Sequence, residues 1–330
     1  MTNFRQDKRN KGWKSWGNTR KFFTLTGGIF IILLLIGGGY VYNLYKSVES
    51  TVDSNMYEEL DRNQSDKRAA PVNLNEKEPV SFLLLGIDAE EGQHGRSDTI
   101  IVVTADPNDD SMKMLSIPRD TRTEIIGRGN QDKINHAFAF GGSNMAMDTV
   151  ENFLDIPIDY VVRVNMDGFT EMVDAVGGVD VENSFSFSQG GYTFPEGEVS
   201  LDGDRALEYT RMRSGDPQGD MGRNIRQQQV VNAIISEGAS FSSITRVGDI
   251  LDGLGSNVNT NLDFDSMTKL MNHYHSSRHN SETLEIEGSG TTINGIWYYE
   301  VPEEERQRVS NRLKDHLRLN KSDSSTASSD

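Results

Sequence analysis

Two carboxylates frame a short loop in LLLGIDAEEGQHGRSDT: Asp88 follows one apolar run and Asp98 precedes the next, with Gly86 and Gly95 bending the chain around them. Open α/β sheets gather their ligands at strand ends of this kind. Two carboxylates held close together suit Mg²⁺, which takes oxygen ligands and completes its shell with water and substrate phosphate oxygens; Mn²⁺ accepts the same donors. The spacing serves a plainer reading equally, in which Asp88 caps a turn and Asp98 ends a strand.

The second chemical signal is a choice of cation. Residues 134–268 contain no lysine but seven arginines, five of them within residues 205–226 (Arg205, Arg211, Arg213, Arg223 and Arg226). A guanidinium is a planar fork that grips phosphate through two hydrogen bonds, whereas an ammonium is a mobile point charge. Arg223 and Gln227 fall one helical turn apart close to a helix start, whose exposed amides also favour anions. Arg96 and Arg119, in GRSDT and SIPRDT, stand beside the expected strand ends. The competing reading is a solvated face on which each arginine pairs with a nearby acid. The six histidines show no H-E-x-x-H spacing, no G-x-S-x-G elbow or phosphate-binding loop occurs, and there is no cysteine. Zinc, serine-hydrolase and thiol chemistry therefore have nothing to stand on.

These residues need a scaffold. Residues 80–86 (VSFLLLG) and 99–104 (TIIVVT) are short apolar runs of the kind buried in sheets, and residues 112–117 and 160–164 read as further strands. Residues 144–154, 166–176, 222–236, 267–273 and 302–317 carry helical spacing, the last with a proline first and Glu303, Glu304 and Glu305 in its opening turn. Strands mixed with helices predict a layered α/β domain over residues 79–317. Phe138, Phe140, Met145, Met147, Phe153, Met166, Phe169 and Met172 are adaptable apolar side chains, available for a lipid groove or for an ordinary core.

The net charge of −17 is unevenly spread. Residues 1–21 carry seven Lys or Arg against one Asp, a leg of +6 that leaves −23 for the remainder. So acidic a remainder repels nucleic acid, whose binding depends on clustered basic side chains. Residues 22–42 contain no charged residue, enough to cross a bilayer core as a helix. The stretch exceeds the ~7–15 residue core of a cleaved signal and lacks a small-residue cleavage site. The expectation is a single signal-anchor helix over 22–42 with a cytoplasmic basic tail, 1–21, and everything from 43 onward outside the cell. Residues 43–78 read as a polar extracytoplasmic stalk, and 318–330, rich in Ser and Asp, as a disordered tail.

Seven blocks, LLLGID, GRSDT, SIPRDT, DKINHAFAFGG, IDYVVRVNMDGF, DAVGGVDVEN and LEYTRMRSGDPQGDMGRNIRQQQV, resemble in order the signatures of the LytR-CpsA-Psr family, and residues 301–317 resemble the end of its Gram-positive, TagT-like members. The resemblance implies a three-layer α-β-α sandwich with a central mixed sheet, preceded by the transmembrane helix. It implies Mg²⁺ on Asp88 and Asp98. The pyrophosphate of a polyprenyl-pyrophosphate-linked glycopolymer would be gripped by Arg96, Arg119, Arg122, Arg211, Arg213, Arg223 and Gln227, with Asp220 orienting arginines or accepting a proton and Arg119, Asp220 and Arg223 at the reacting centre. The polyprenyl tail would lie between sheet and helices. The implied activity is phosphotransfer of an anionic polymer such as wall teichoic acid to peptidoglycan, outside the cytoplasmic membrane. The same residues would serve a polyprenyl pyrophosphatase, or a noncatalytic lipid-binding regulator of the envelope that has no use for the paired acids.

Overall fold

The computed structural model describes residues 46, 49–50, 52–88, 95–213, 215–238 and 254–319. The basic tail, the apolar stretch 22–42, most of the loop between Asp88 and Asp98, and residues 320–330 lie outside them. Among the described residues no helix is long and apolar enough to cross a membrane.

The frame is a six-stranded mixed sheet. The apolar run Val80–Ile87 forms β1, which pairs antiparallel with β2 (Ser97–Asp106) and parallel with β6 (Tyr160–Val164). β3 (Ser111–Ser116) follows β2, and the edges are closed by β11 (Val258–Thr260) beside β6 and β12 (Asn280–Leu284) beside β3. A small hairpin, β4 (Arg122–Ile125) with β5 (Asn130–Lys133), leads into helix α1 (His136–Leu154), which kinks at Gly141 and Gly142.

Strand side chains alternate between faces, and here the two faces differ. On one, Leu83, Leu85, Ile87, Ile100, Val102, Leu115 and Val161 pack densely against α1 and α6 (Glu303–His316). On the other, Phe82, Leu84 and Gly86 are only partly buried although they sit in a central strand. Together with the buried Ile101, Val103 and Met112, on which Val231 and Ile235 also pack, they line a cavity. Helices α2 (Met166–Ala175), α4 (Asp220–Gly238) and α5 (Phe264–His273) roof it.

A second, smaller core carries the arginine-rich segment. Hairpins β7 (Val179–Asn183) with β10 (Gly197–Leu201) and β8 (Phe187–Gln189) with β9 (Tyr192–Phe194) pack on α3 (Gly203–Arg211) and α4. Phe187, Phe194 and Tyr209 stack at its centre with ring centroids 4.9–5.6 Å apart. The remaining hairpin, β13 (Ser289–Ile293) with β14 (Ile296–Glu300), precedes α6.

Two expectations need correction. The polar stretch up to residue 78 is not a free stalk over 52–78. Val52 and Met56 are buried, Tyr57 pairs with Thr260, and Arg62 and Arg68 are held by Glu151 and Asp159 at 2.6 Å. Its charges match acids on the body, which a scan for apolar periodicity cannot detect. Of the candidate groove residues, Phe138, Met147 and Phe153 belong to the dense core on the opposite face, and Phe140 lies under Arg128, whose guanidinium is 3.9 Å from its ring centroid. Met166, Phe169 and Met172 do line the hollow face.

Candidate functional site

The space under α2, α4 and α5 is a cavity of about 660 Å³, within the ~300–1,000 Å³ range of small-molecule sites. Most of its wall is apolar: Phe82, Leu84, Ile101, Val103, Met112 and Val162 from the sheet, with Phe169, Val231 and Ile235 among the residues of the roof. At the end of the wall near the carboxyl terminus of β1 the character changes. Asp88, Asp98, Arg119, Arg211, Arg213, Arg223 and Gln227 all contribute to it.

Local backbone geometry accounts for this gathering. Gly86 pairs with Thr99 but Ile87 with Ser97, so Asp98 is an extra residue in β2. A bulge of this kind re-aims side chains, and Asp98 joins Thr99, Ile101 and Val103 on the cavity wall rather than pointing to the opposite face. Gly86 is needed at the bulge, since a Cβ there would come within 2.9 Å of Thr99 Cβ. Arg119 Nη1 donates to Asp98 Oδ2 at 2.6 Å, and Asn135 Nδ2 donates to Asp98 Oδ1 at 3.3 Å.

The opposite wall is fixed by a buried ion pair. Arg226 Nη1 donates to Asp216 at 2.5 Å, its Nε to the Tyr209 carbonyl at 3.1 Å and its Nη2 to the Met212 carbonyl at 2.6 Å. These bonds tie the loop after α3, which carries Arg213, to α4, which carries Arg223 and Gln227. Gly222 makes the closeness possible, because a Cβ there would collide with the Asp216 carboxylate.

Arg223 is treated differently. It is buried, its nearest acid, Asp220, is 3.7 Å away, and its Nε has no hydrogen-bond partner. Burial holds its guanidinium below the ordinary value; Asp220 and Asp98 oppose that shift, and Arg213 and Arg119 add to it. Arg119 Nε is likewise buried without a hydrogen bond, its 3.6 Å approach to Asp120 being too long for one. Guanidinium groups crowded together with unused N–H groups, in so acidic a chain, fit an anion with several oxygens.

Asp220, at the start of α4, approaches Arg213 Nε at 3.4 Å and Arg223, and is not itself part of the cavity wall. Arg96 and Arg122 are not brought to that wall either. Arg96 is exposed just ahead of β2, and Arg122 pairs with Glu300 at 3.2 Å. The arginine spacing alone could not reveal that neighbours two or three residues apart face different ways. Asn135, Thr99, Asn165 and Thr210 stand at the site without having been singled out. Neutral and scattered, they offer no charge pattern to find them by. Arg226 and Asp216 were equally hidden as a pair.

For a cation the fit is partial and reasonable. Asp88 and Asp98 share one wall, and their oxygens are the hard donors Mg²⁺ takes. Among the described residues no group of three or more His, Asp and Glu could hold a metal. A cation here would draw remaining ligands from water and from the bound anion.

Comparison with known proteins agrees with this geometry. A polyisoprenyl-teichoic acid–peptidoglycan teichoic acid transferase TagU of Halalkalibacterium halodurans is 56% identical over 284 residues, 85% of this chain and 93% of that protein. The crystal structure of B. subtilis TagU matches at 47% identity with a TM-score of 0.61, covering 73% of this chain and 97% of that one. TagT bound to LIIa-WTA matches at 34% identity with a TM-score of 0.67, covering 77% and 96%. The pattern of the LytR_cpsA_psr family covers residues 42–315, and with it the whole of the sheet, the hollow face and the arginine-lined end, so the chain belongs to that family.

Proposed function

We propose that this chain is a phosphotransferase that moves an anionic glycopolymer, such as wall teichoic acid, from a polyprenyl-pyrophosphate carrier to a hydroxyl of peptidoglycan, forming a phosphodiester. The observation that carries the reading is a cavity whose long middle is apolar, with Arg119, Arg211, Arg213, Arg223, Asp88 and Asp98 gathered at one end and only His275 and Arg278 at the other. A polyprenyl diphosphate has that polarity. The names of the relatives, teichoic acid transferases to peptidoglycan, support the acceptor and the polymer class.

Phosphoryl transfer asks little covalent chemistry of a protein beyond alignment and neutralisation of charge on the phosphoryl oxygens. Arg119, Arg211, Arg213 and Arg223 would grip the diphosphate, with Gln227 donating beside them. The unused Nε groups of Arg119 and Arg223 are available to its oxygens. Asp220 would hold Arg213 and Arg223 in orientation. The apolar wall would fix the polyprenyl chain, so that the phosphorus bearing the polymer faces the incoming hydroxyl and polyprenyl phosphate leaves. Bound Mg²⁺ on Asp88 and Asp98 would supply further charge neutralisation. Arg96 and Arg122, away from the wall, would act on the polymer beyond the diphosphate. The chain would work outside the cytoplasmic membrane, anchored through 22–42, with donor in the bilayer and acceptor in the wall.

The full chain, given Mg²⁺, a lipid-linked donor and peptidoglycan, should form the phosphodiester, and Arg119→Ala should lower the rate by about 10²–10³, the usual cost of removing one transition-state donor. Transfer by that variant at the normal rate would overturn the assignment. Release of polymer phosphate to water at equal rate with and without acceptor would instead make the chain a pyrophosphatase.

A further inference from the structure

The hairpin β13–β14 has no part in the cavity wall, yet it exposes the large apolar side chains Ile296 and Trp297, 50% and 46% accessible. Its turn, Asn294-Gly295, has φ of 52° and 80°, the left-handed pair that a tight two-residue hairpin turn needs. Tyr298 points to one face, where Arg122 and Lys133 lie 6.0 and 5.9 Å from its ring centroid. Trp297 and Tyr299, two residues apart, share the other.

What backs these two rings is unusual. A Cβ on Gly290 would come within 2.8 Å of Trp297 Nε1, and a Cβ on Gly288 within 2.7 Å of Tyr299 Cε1. The Trp297 ring therefore lies against bare glycine backbone in β13, and the Tyr299 ring against that of Gly288 just ahead of the strand. Tyr299 is fixed further by its hydroxyl, which donates to the Ile286 carbonyl at 3.3 Å. The result is an aromatic strip of two side chains backed by glycine, with Trp297 46% accessible and Tyr299 partly so. The strip is joined to the charged end of the cavity: Tyr299 N–H donates to the Asp120 carbonyl at 2.9 Å, and Asp120 follows Arg119 directly.

We infer that the Trp297–Tyr299 strip is a saccharide-binding site, and that its occupant is the uncharged sugar backbone of the acceptor, a β-linked N-acetylhexosamine strand. This rests on the transferase reading above. A flat ring held rigid offers area for stacking at little entropic cost, and exposed Thr292 and Asn294 place hydrogen-bonding groups at its edge. Charge selects among occupants. Of the seven glutamates in residues 279–305, Glu282 is ion-paired with Lys113 and Arg312, Glu300 with Arg122, Glu303 with Arg306 and Glu305 with Arg308, which leaves this face no surplus of positive charge. Such a face has no excess of cations to draw the polyanionic donor polymer or an anionic bilayer, both of which attract basic residues. A neutral glycan needs no such excess. A strand seated there would lie next to Arg119, where its hydroxyl has to arrive.

The test uses the full chain with Trp13→Phe and Trp16→Phe, which leaves Trp297 as the only tryptophan. A soluble β-1,4-linked N-acetylglucosamine hexamer should shift its emission saturably, and maltohexaose should not. In the transfer assay Trp297→Ala should raise KM for peptidoglycan about five- to tenfold while leaving KM for the lipid donor unchanged, and Trp297→Phe should recover part of the loss. No emission change with the hexamer, or an unchanged acceptor KM, would overturn the site; a response to anionic phospholipid vesicles alone would make the strip a membrane contact instead. Hexamer binding by a wild-type chain that forms no phosphodiester would refute the transferase reading and leave the strip standing.

Discussion

Arg223 and Arg226 lie three residues apart on α4, both buried, and their surroundings assign them opposite tasks. All three hydrogen-bonding arms of Arg226 are matched, to Asp216 and two carbonyls. Breaking a buried pair of this kind leaves an uncompensated charge, so Arg226→Ala should cost ~3–5 kcal/mol of stability. Arg223 is crowded by like charge and under-bonded. Arg223→Ala should leave the thermal midpoint unchanged or raise it, while removing diphosphate binding. Calorimetry of both variants decides the point, and equal destabilisation would contradict it. A third buried group predicts pH dependence. His316, with ring nitrogens 2.7 Å from Thr104 Oγ1 and 2.9 Å from Ser111 Oγ, is held neutral and its pKa is pushed down to about 4, chiefly by burial. In the unfolded chain the same imidazole titrates near 6.5. The folded value is the lower one, so the stability it contributes is complete above pH ~6.5 and is lost as pH falls toward 4, by roughly 2–3 kcal/mol. Unfolding midpoints of the wild type and His316→Gln across that window should converge at acid pH; parallel curves would refute the role.

At the scale of elements, the site depends on two close approaches. One is the bulge that turns Asp98 toward the cavity; the other is the first turn of α4, where Gly222 lets the Asp216 carboxylate sit against the helix. Gly222→Ala should displace Asp216, loosen Arg226, and destabilise by about 1–3 kcal/mol through overpacking, with a larger loss of transfer than of stability because Arg213 and Arg223 would part. Denaturant titration beside the ligation assay checks this, and an active, fully stable variant would contradict it. The strands that carry the site were plain in the sequence, because runs such as VSFLLLG and TIIVVT have few other uses. Helices over 166–176 and 222–236 were equally plain, and their observed bounds differ by a residue or two. Hairpins β7–β10 and helix α3 went unread: their strands are short and alternate with exposed polar residues, so no window of sequence holds enough apolar signal. Asp88, Asp98, Arg119 and Arg223 stand out by type and position, and the fold brings them to one cavity wall. Arg96 and Arg122, expected beside the pyrophosphate, stand off that wall, because side-chain direction depends on hairpin and bulge geometry that spacing does not encode. The belt over 52–78 was missed for a similar reason, since ion pairs such as Arg68 with Asp159 bridge residues far apart in the chain.

For the whole molecule the defining feature is asymmetry across one sheet. One face is filled by α1 and α6 and supplies the rigidity; the other is left hollow, and its charged end is built by elements from both cores. The belt enters on that same side. Tyr57 runs parallel to β11, and β11 opposes β6 with Val258 beside Val164, so Val52–Met56 lie toward the carboxyl ends of β1 and β6. The central claim is that one molecule engages both regions of the cavity at once, diphosphate at the arginines and isoprenoid along the apolar wall. Isothermal titration of farnesyl diphosphate with Mg²⁺ present tests it most directly, using the wild type, Arg223→Ala and Val231→Trp, the last filling the apolar length. Each variant should weaken binding roughly ten- to a hundredfold, the worth of a charge-assisted bond or of lost apolar burial, and farnesol or pyrophosphate alone should bind far less tightly. If Val231→Trp binds farnesyl diphosphate as the wild type does, or pyrophosphate alone binds equally well, the cavity is not the seat of the lipid and the account fails.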